Sequence, residues 1–267
     1  MKDFEVAVSC LNKDVFKIVS NFKNLFGLKS VDIHVIHQIT DDFDYSNIVF
    51  DLESKSNIRY SRLEKLGLPH SRNFALDSCS AKFLIPTDSD VIIFDSNLER
   101  INDYLINNSH LDFLTLESYY DLSQENPRRA FANKEFLHNR RTLLSVSSIE
   151  IVMNVERFKL SNVEWDLDFG LGARFGGGLE TVMLQNANNA GLKGMFVPIP
   201  LSCHHELSTG AEVNIKRVFI RSAVFEKIFG TANGKILSLI FHIKNYKKFK
   251  SLGILNLLKT IMGDKKI

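Results

Sequence analysis

The sequence is poor in cysteine and has no long apolar run. Its 267 residues include three cysteines, Cys10, Cys79 and Cys203. A set so small, odd and scattered predicts neither a disulfide framework nor a zinc ribbon, and it favours a reducing compartment. No run approaches the roughly 20 apolar residues that a membrane-spanning helix needs, and the N-terminus lacks the pattern of a signal peptide. We therefore expect a cytoplasmic protein.

The net charge is also small, but it is unevenly distributed. Thirty-three basic and 31 acidic residues give +2, which argues against a strongly basic nucleic-acid binder. From residue 242 to the end, seven lysines and one acid give +6, which leaves −4 on the rest of the chain. Apolar residues make up 45% of the sequence, enough for a full hydrophobic core.

Short apolar runs alternate with segments of helical period over the first two thirds of the chain. We predict strands at residues 5–9, 31–36, 47–52, 82–86, 91–94, 111–116 and 142–153. We predict helices at residues 15–26, 71–78, 98–105 and 179–190. The polar stretch 119–141, which has four arginines, reads as a loop over the site or as an insertion. The alternation predicts βαβ units and a mainly parallel sheet, which collects ligands at the carboxyl ends of its strands.

Acidic side chains follow one of these predicted strands and open one of the helices. Asp88-Ser89-Asp90 could hold Mg²⁺ or Mn²⁺, because hard cations prefer oxygen ligands; a plain turn would use the same residues. Glu180 could act as a general base, or it could simply favour the positive end of the helix dipole.

Two further motifs carry groups that bind metals or anions. Of the adjacent histidines His204 and His205, at most one is expected to join a single metal site. Residues 67–73 place backbone N–H groups at a helix start, where a phosphate can bind, or where Ser71 merely caps the helix. Five glycines within residues 168–178 indicate that the backbone turns sharply or closely approaches another group.

Taken together, these motifs resemble the family-2 glycosyltransferases of the GT-A fold, most closely bacterial members that build surface polysaccharides. The segments that carry the resemblance are VIHQ at 35–38, GLPHSRN at 67–73, DSDV at 88–91, SSIE at 147–150, FGLGA at 169–173, GLET at 178–181, and His204 with STG at 208–210. The implied fold is α/β: a Rossmann-like, mainly parallel mixed sheet flanked by helices. It implies a nucleotide-sugar-binding and catalytic domain at residues 1–213 and a basic, amphipathic, helical C-terminal extension at 214–267.

The resemblance also implies residue roles. The nucleotide-sugar pocket would contain Gln38, Arg72, Asp88 and Ser89. Asp90 and His204 would bind Mn²⁺ or Mg²⁺, and Glu180 would be the catalytic base. The sequence departs from the family at Leu179, where the first of two adjacent acids usually stands.

These roles imply an inverting transfer of sugar from a nucleoside-diphosphate sugar, most often a uridine one, to a hydroxyl of a glycan or polyprenyl-linked acceptor. One alternative is a sugar nucleotidyltransferase, but residues 10–14, after the first strand, lack the glycines that would hold a triphosphate. The other alternative is a non-catalytic sugar-nucleotide-binding or scaffold protein, which the departure at Leu179 keeps open.

The tail contains an apolar stripe at helical spacing beside its lysines. The stripe consists of Ile254, Leu257, Leu258, Ile261 and Met262. It is expected either to pack on the catalytic domain or to lie on anionic lipid, which would place the protein at the inner face of the cell membrane.

Overall fold

The computed structural model describes residues 2–205 and 214–263. Its strands are β1 Phe4–Leu11, β2 Val31–Gln38, β3 Ile58–Arg62, β4 Phe83–Asp88, β5 Ile92–Ile93, β6 Phe113–Tyr119, β7 Phe136–Leu137, β8 Ile151–Asn154 and β9 Gly194–Cys203. Its α-helices are α1 Lys17–Asn21, α2 Ser46–Glu53, α3 Leu68–Ser78, α4 Leu98–Asn107, α5 Val155–Leu160, α6 Leu179–Asn189, α7 Ile215–Phe229, α8 Thr231–Lys244, α9 Tyr246–Phe249 and α10 Ile254–Met262. The STG motif at 208–210 and the last lysines of the tail lie outside the described residues.

The described strands form one mixed sheet in the order β3-β2-β1-β4-β8-β6-β9-β5, with β7 paired to β9. Strands β1 to β4 run parallel, and β6 runs parallel to β9. Strand β8 is antiparallel to both of its neighbours, and β5 is antiparallel to β9. The expected mainly parallel mixed sheet is therefore confirmed.

Both faces of the sheet are buried, which explains the nearly continuous apolar composition of β1. Successive side chains of a strand point to opposite faces. Val6 and Val8 accordingly belong to one hydrophobic core, with residues of α1, α2 and α4. Ala7 belongs to the other core, with residues of α3, α5, α6 and α7.

The predicted strand at residues 47–52 is wrong, because this segment forms α2. Ile48 and Leu52 stand one helical turn apart and are buried, whereas Phe50 is 78% exposed. The β-branched pair Ile48-Val49 suggested a strand, but the burial follows the period of a helix. The third parallel strand is instead β3, at the edge of the sheet.

Two other boundaries also differ from the sequence prediction. Residues 142–153 begin as two 3₁₀ turns, the second with a capping box between Ser147 and Glu150, and extend as β8 only from Ile151. The helix at 15–26 is broken into short turns, because Phe22 leaves helical dihedrals at φ −113° and ψ 7°. The predicted helices at 71–78, 98–105 and 179–190 are confirmed as α3, α4 and α6.

Residues 214–263 are mostly helical, as expected, and α7 packs against α6. The ring of Phe219 on α7 lies 5.7 Å from that of Phe175 in the glycine-rich loop. The division of the chain at residue 213 stays a prediction. Among residues 2–205 and 214–263, none of the helices combines the length and the apolar character that crossing a membrane requires.

Candidate active site

The Asp88-Ser89-Asp90 motif lies at the carboxyl edge of the parallel strands. Strand β4 runs between β1 and β8 and ends at Asp88. The turn that follows is fixed from outside the strand, because the Asn21 side-chain amide donates to the Ser89 carbonyl oxygen at 2.9 Å. Open α/β sheets bind ligands at this edge, so the motif stands where a ligand is expected.

Strand pairing brings His204 beside Asp90. Strand β5 pairs antiparallel with the end of β9, so the residue that follows β9 returns to the turn before β5. His204 Nε2 lies 3.3 Å from Asp90 Oδ2, and the imidazole lowers the pKa of the Asp90 carboxyl below its usual range. His205 points elsewhere, with its Nδ1 2.8 Å from the Tyr120 carbonyl oxygen. The structure therefore brings His204, and not His205, to the acidic turn.

Arg72 lies beneath the strand ends and supports Asp88. The residue is 1% exposed. One Nη donates to the carbonyl oxygens of Ala7 and Thr87 at 3.2 and 2.6 Å, and the other donates to Asp88 Oδ1 at 2.6 Å. The side chain of Asp88 is 36% exposed. Both Nη groups of Arg72 therefore bind the protein and orient Asp88, whereas its buried Nε has no hydrogen-bond partner among the described residues. Contact between Arg72 and a nucleotide stays a prediction.

Gln38 is buried at the carboxyl end of β2. Its side-chain amide donates to the carbonyl oxygens of Lys65 and Gly67, at 2.5 and 3.0 Å. These bonds tie the end of β2 to the segment that leads into α3. Contact between Gln38 and a nucleotide stays a prediction.

The glycine-rich loop closely approaches the start of α3. The backbone N–H of Leu68 donates to the carbonyl oxygen of Leu171 at 2.8 Å. A Cβ placed on Gly172 would lie 2.9 Å from the Cα of Gly67, and both glycines have positive φ. The density of glycine therefore reflects a close backbone approach that joins two of the candidate motifs.

Glu180 opens α6 within electrostatic range of the Asp88 turn. Burial raises the pKa of its carboxyl above the usual range, the Arg72 guanidinium opposes this rise, and the Asp88 carboxylate adds to it. We expected a polar, hydrogen-bonded setting that keeps the carboxylate ionised; instead, loss of solvent is the largest influence on its pKa. An ionised carboxylate with a raised pKa is a stronger base than one in water.

Leu179, the departure from the family pattern, is a core residue. It is 1% exposed and belongs to the same core as Phe169 and Val182. Its side chain fills the space beside Gly170, where an added Cβ would lie 3.0 Å from the Leu179 Cδ2. A carboxylate at this position would be buried among apolar groups, so position 179 contributes packing and not acidity.

The arginine-rich loop holds residues that the sequence analysis did not single out. Arg128 donates to the carbonyl oxygen of His204 at 2.5 Å, which fixes the backbone of this histidine. Arg129 pairs with Glu150 at 2.7 Å, and Glu150, which is 1% exposed, also accepts from Ser118. The number of arginines was the signal available, but no spacing in the sequence reveals which backbone group each arginine meets.

Asp90 and His204 fit a divalent cation as a two-donor set. Within residues 2–205 and 214–263, no three His, Cys, Asp or Glu side chains form a preformed metal cluster. Mg²⁺ and Mn²⁺ sites in nucleotide-binding proteins often use one or two protein ligands, with substrate phosphates and water completing the shell. His204 Nε2 is buried and faces the Asp90 carboxylate without a well-aligned hydrogen bond among the described residues, which is consistent with a ligand position.

The fold is similar to that of solved sugar-nucleotide complexes. A crystal structure of S. aureus TarS 1-349 in complex with UDP-GlcNAc matches 99% of this chain and 80% of its own, with a TM-score of 0.68 and 16% identity. The TarS 1-349 crystal structure matches 98% and 81%, with a TM-score of 0.66 and 14% identity. The mannosyltransferase PcManGT from Pyrobaculum calidifontis, in complex with GDP-Man and Mn²⁺, matches 97% and 83%, with a TM-score of 0.60 and 11% identity.

These structures confirm the GT-A fold that the sequence motifs implied. At 11 to 16% identity the likeness concerns the fold. No family model matches the sequence, and no curated protein matches it.

Proposed function

We propose that this protein is an inverting glycosyltransferase that uses a nucleoside-diphosphate sugar, with uridine as the expected base. The observation that carries the proposal is the convergence of Asp88, the Asp90–His204 pair and Glu180 at one edge of a GT-A sheet. Neighbouring structures with bound UDP-GlcNAc and GDP-Man support a sugar-nucleotide donor. The proposed acceptor is a hydroxyl of a glycan or of a polyprenyl-linked sugar in bacterial surface polysaccharide synthesis, and the proposed location is cytoplasmic.

In this mechanism Glu180 is the general base. Its carboxylate takes the proton of the acceptor hydroxyl, and the acceptor oxygen forms a bond to the anomeric carbon. The bond between that carbon and the diphosphate oxygen breaks on the opposite face, so the configuration inverts. The raised pKa of Glu180 favours this proton transfer, because a higher pKa makes the ionised carboxylate a stronger base.

The leaving diphosphate faces the other half of the site. Arg72 binds β1 and β4 and holds the Asp88 carboxylate in place. In this proposal Asp88 contacts the ribose or the sugar of the donor. Asp90 and His204 would hold Mn²⁺ or Mg²⁺, which supplies positive charge to the departing diphosphate. The Mn²⁺ complex of the mannosyltransferase neighbour supports the use of a divalent metal.

A donor-hydrolysis screen tests the proposed function. Purified protein is incubated with a panel of sugar nucleotides and Mn²⁺, and release of the nucleoside diphosphate is followed. We expect slow hydrolysis of one donor and, once an acceptor is known, a Glu180→Gln variant that binds this donor but transfers about 10² to 10⁴ times more slowly.

The screen also separates the alternatives. Release of pyrophosphate from a nucleoside triphosphate and a sugar phosphate would identify a nucleotidyltransferase. Donor binding without any turnover would favour a non-catalytic protein, and equal transfer by parent and Glu180→Gln would remove the base assignment.

A further inference from the structure

Helix α8 buries one side against the protein and exposes the opposite side to solvent. Gly234, Ser238 and His242 are buried, and the Ser238 hydroxyl lies 2.6 Å from that of Ser222 on α7. The opposite side is an aliphatic stripe that faces solvent, formed by Ile236, Leu237, Ile240 and Ile243. The spacing of these four residues keeps them on one helix face.

Helix α10 repeats this arrangement beside α8. Leu257 and Ile261 pack with Val218 of α7 in a small core, and α10 also contacts α8. The rest of its apolar arc is exposed: Ile254, Leu255, Leu258 and Met262. We expected the apolar stripe of the tail either to pack on the protein or to lie on lipid. Only Leu257 and Ile261 pack on the protein.

The same segment is strongly basic. Residues 231–263 contain six lysines and no aspartate or glutamate. Five of the lysines are exposed: Lys244, Lys247, Lys248, Lys250 and Lys259. We call these five lysines and the eight exposed aliphatic residues of α8 and α10 the tail surface.

We propose that the tail surface docks on the interface of a lipid bilayer that carries anionic headgroups. An interfacial helix combines an exposed aliphatic face with lysines, so that the aliphatic face enters the acyl boundary while the lysines meet headgroup phosphates. A second copy of the chain is a poor occupant, because two surfaces that each carry five lysines and no acid would repel each other. The proposal concerns binding alone and holds whether or not the catalytic assignment is correct.

Vesicle co-sedimentation of the full chain tests the aliphatic part of the surface. The vesicles contain one part phosphatidylglycerol to two parts phosphatidylcholine, with pure phosphatidylcholine for comparison. The test variant carries Ile243→Asp and Leu255→Asp, and the matched control carries Phe50→Asp and Leu160→Asp; these four side chains are 62 to 78% exposed. We expect the test pair to lower binding to anionic vesicles about a hundredfold and the control pair to leave it unchanged.

A second pair of variants tests the charge. Lys247→Gln with Lys248→Gln should lower binding about 30-fold at low salt, and the difference should shrink at high salt because salt screens exposed charge. Lys23→Gln with Lys29→Gln, at exposed sites outside the tail, should bind as the parent does. Circular dichroism confirms that each variant is folded.

Three outcomes would overturn the proposal. The first is absence of binding to anionic vesicles, and the second is equal binding by the parent and both tail variants. The third is a change from dimer to monomer in the Ile243→Asp, Leu255→Asp variant, measured by light scattering, with vesicle binding unaltered; this would make the tail surface a contact between two copies. Donor hydrolysis by the same proteins reports separately on the proposed function.

Discussion

Two carboxylates of the candidate site are held in opposite electrostatic settings. The His204 imidazole lowers the pKa of Asp90, whereas burial raises the pKa of Glu180. Environments that shift the pKa values of two carboxylates in opposite directions indicate that the two groups have different roles. Asp90 remains an anion that suits a cation, and Glu180 is prepared to accept a proton.

The adjacent histidines offer a matched pair of substitutions. We expect His204→Ala to weaken Mn²⁺-dependent binding of UDP at least tenfold, because loss of a supporting group alone commonly costs a metal site that much. His205→Ala should leave binding close to that of the parent, since this ring contacts the Tyr120 carbonyl. Calorimetric titration of UDP with and without Mn²⁺ measures both.

Asp90→Asn should behave as His204→Ala does. Equal loss of affinity in the two histidine variants would contradict the assignment of His204. Unchanged titration of Asp90→Asn would remove the metal site from this turn.

At the scale of elements, the glycine-rich loop and α6 place Glu180. Gly178 precedes α6 with φ 81°, and an added Cβ would overlap the Val224 side chain of α7. The site therefore depends on the contact between the loop and the helix that follows residue 214. Neighbouring Gly177 has only an ordinary contact, 3.5 Å from the Ile220 side chain.

Gly178→Ala should accordingly destabilise the protein by about 2 to 4 kcal/mol, from the left-handed conformation and the overlap together. Gly177→Ala should change the free energy of unfolding by less than about 1 kcal/mol. Urea unfolding of the two variants and the parent measures the difference. Similar stability of the two variants would show that the Val224 side chain can move away from a Cβ at position 178 with little loss of folding free energy.

Elements with a strong period were predictable from the sequence, and those set by tertiary contacts were not. Helices α4 and α6 have apolar residues at regular spacing, and both were expected. The segment at 47–52 was misread, because β-branched residues favour strands locally, while burial of Ile48 and Leu52 against the sheet favours a helix. Helix α1 ends before Phe22, whose backbone dihedrals are not helical, although the apolar spacing of the sequence continues to Leu25.

At the scale of the whole molecule, the order of the strands in the sheet determines which residues meet at the candidate site. The motif at 88–90 could be placed at a strand end from sequence, because an apolar run precedes it. Its contact with His204 depends on the antiparallel pairing of β5 with β9, a two-residue pairing that carries no sequence signature. The buried position of Arg72 likewise follows from packing of α3 over β1 and β4.

The position of Glu180 should also appear in the stability of the folded chain. Because its folded-state pKa is raised, the folded state binds this proton more tightly than the unfolded state does. Stability is then lost as pH rises from the unfolded pKa through the folded one, and the deficit persists above that range. Glu180→Gln removes a charge that is partly shielded from solvent, so the variant should be more stable than the parent at pH 8, with a gap that narrows toward pH 5.

Urea unfolding across this pH range measures the gap, with Glu156→Gln as the control at an exposed position in the first turn of α5. The control measures the effect of replacing an exposed glutamate at a helix start. A variant at position 180 that is less stable than the parent at pH 8 would mean that the carboxylate has favourable partners in the folded state. In that case its proposed strength as a base would fail together with the stability prediction, because the same desolvation underlies both.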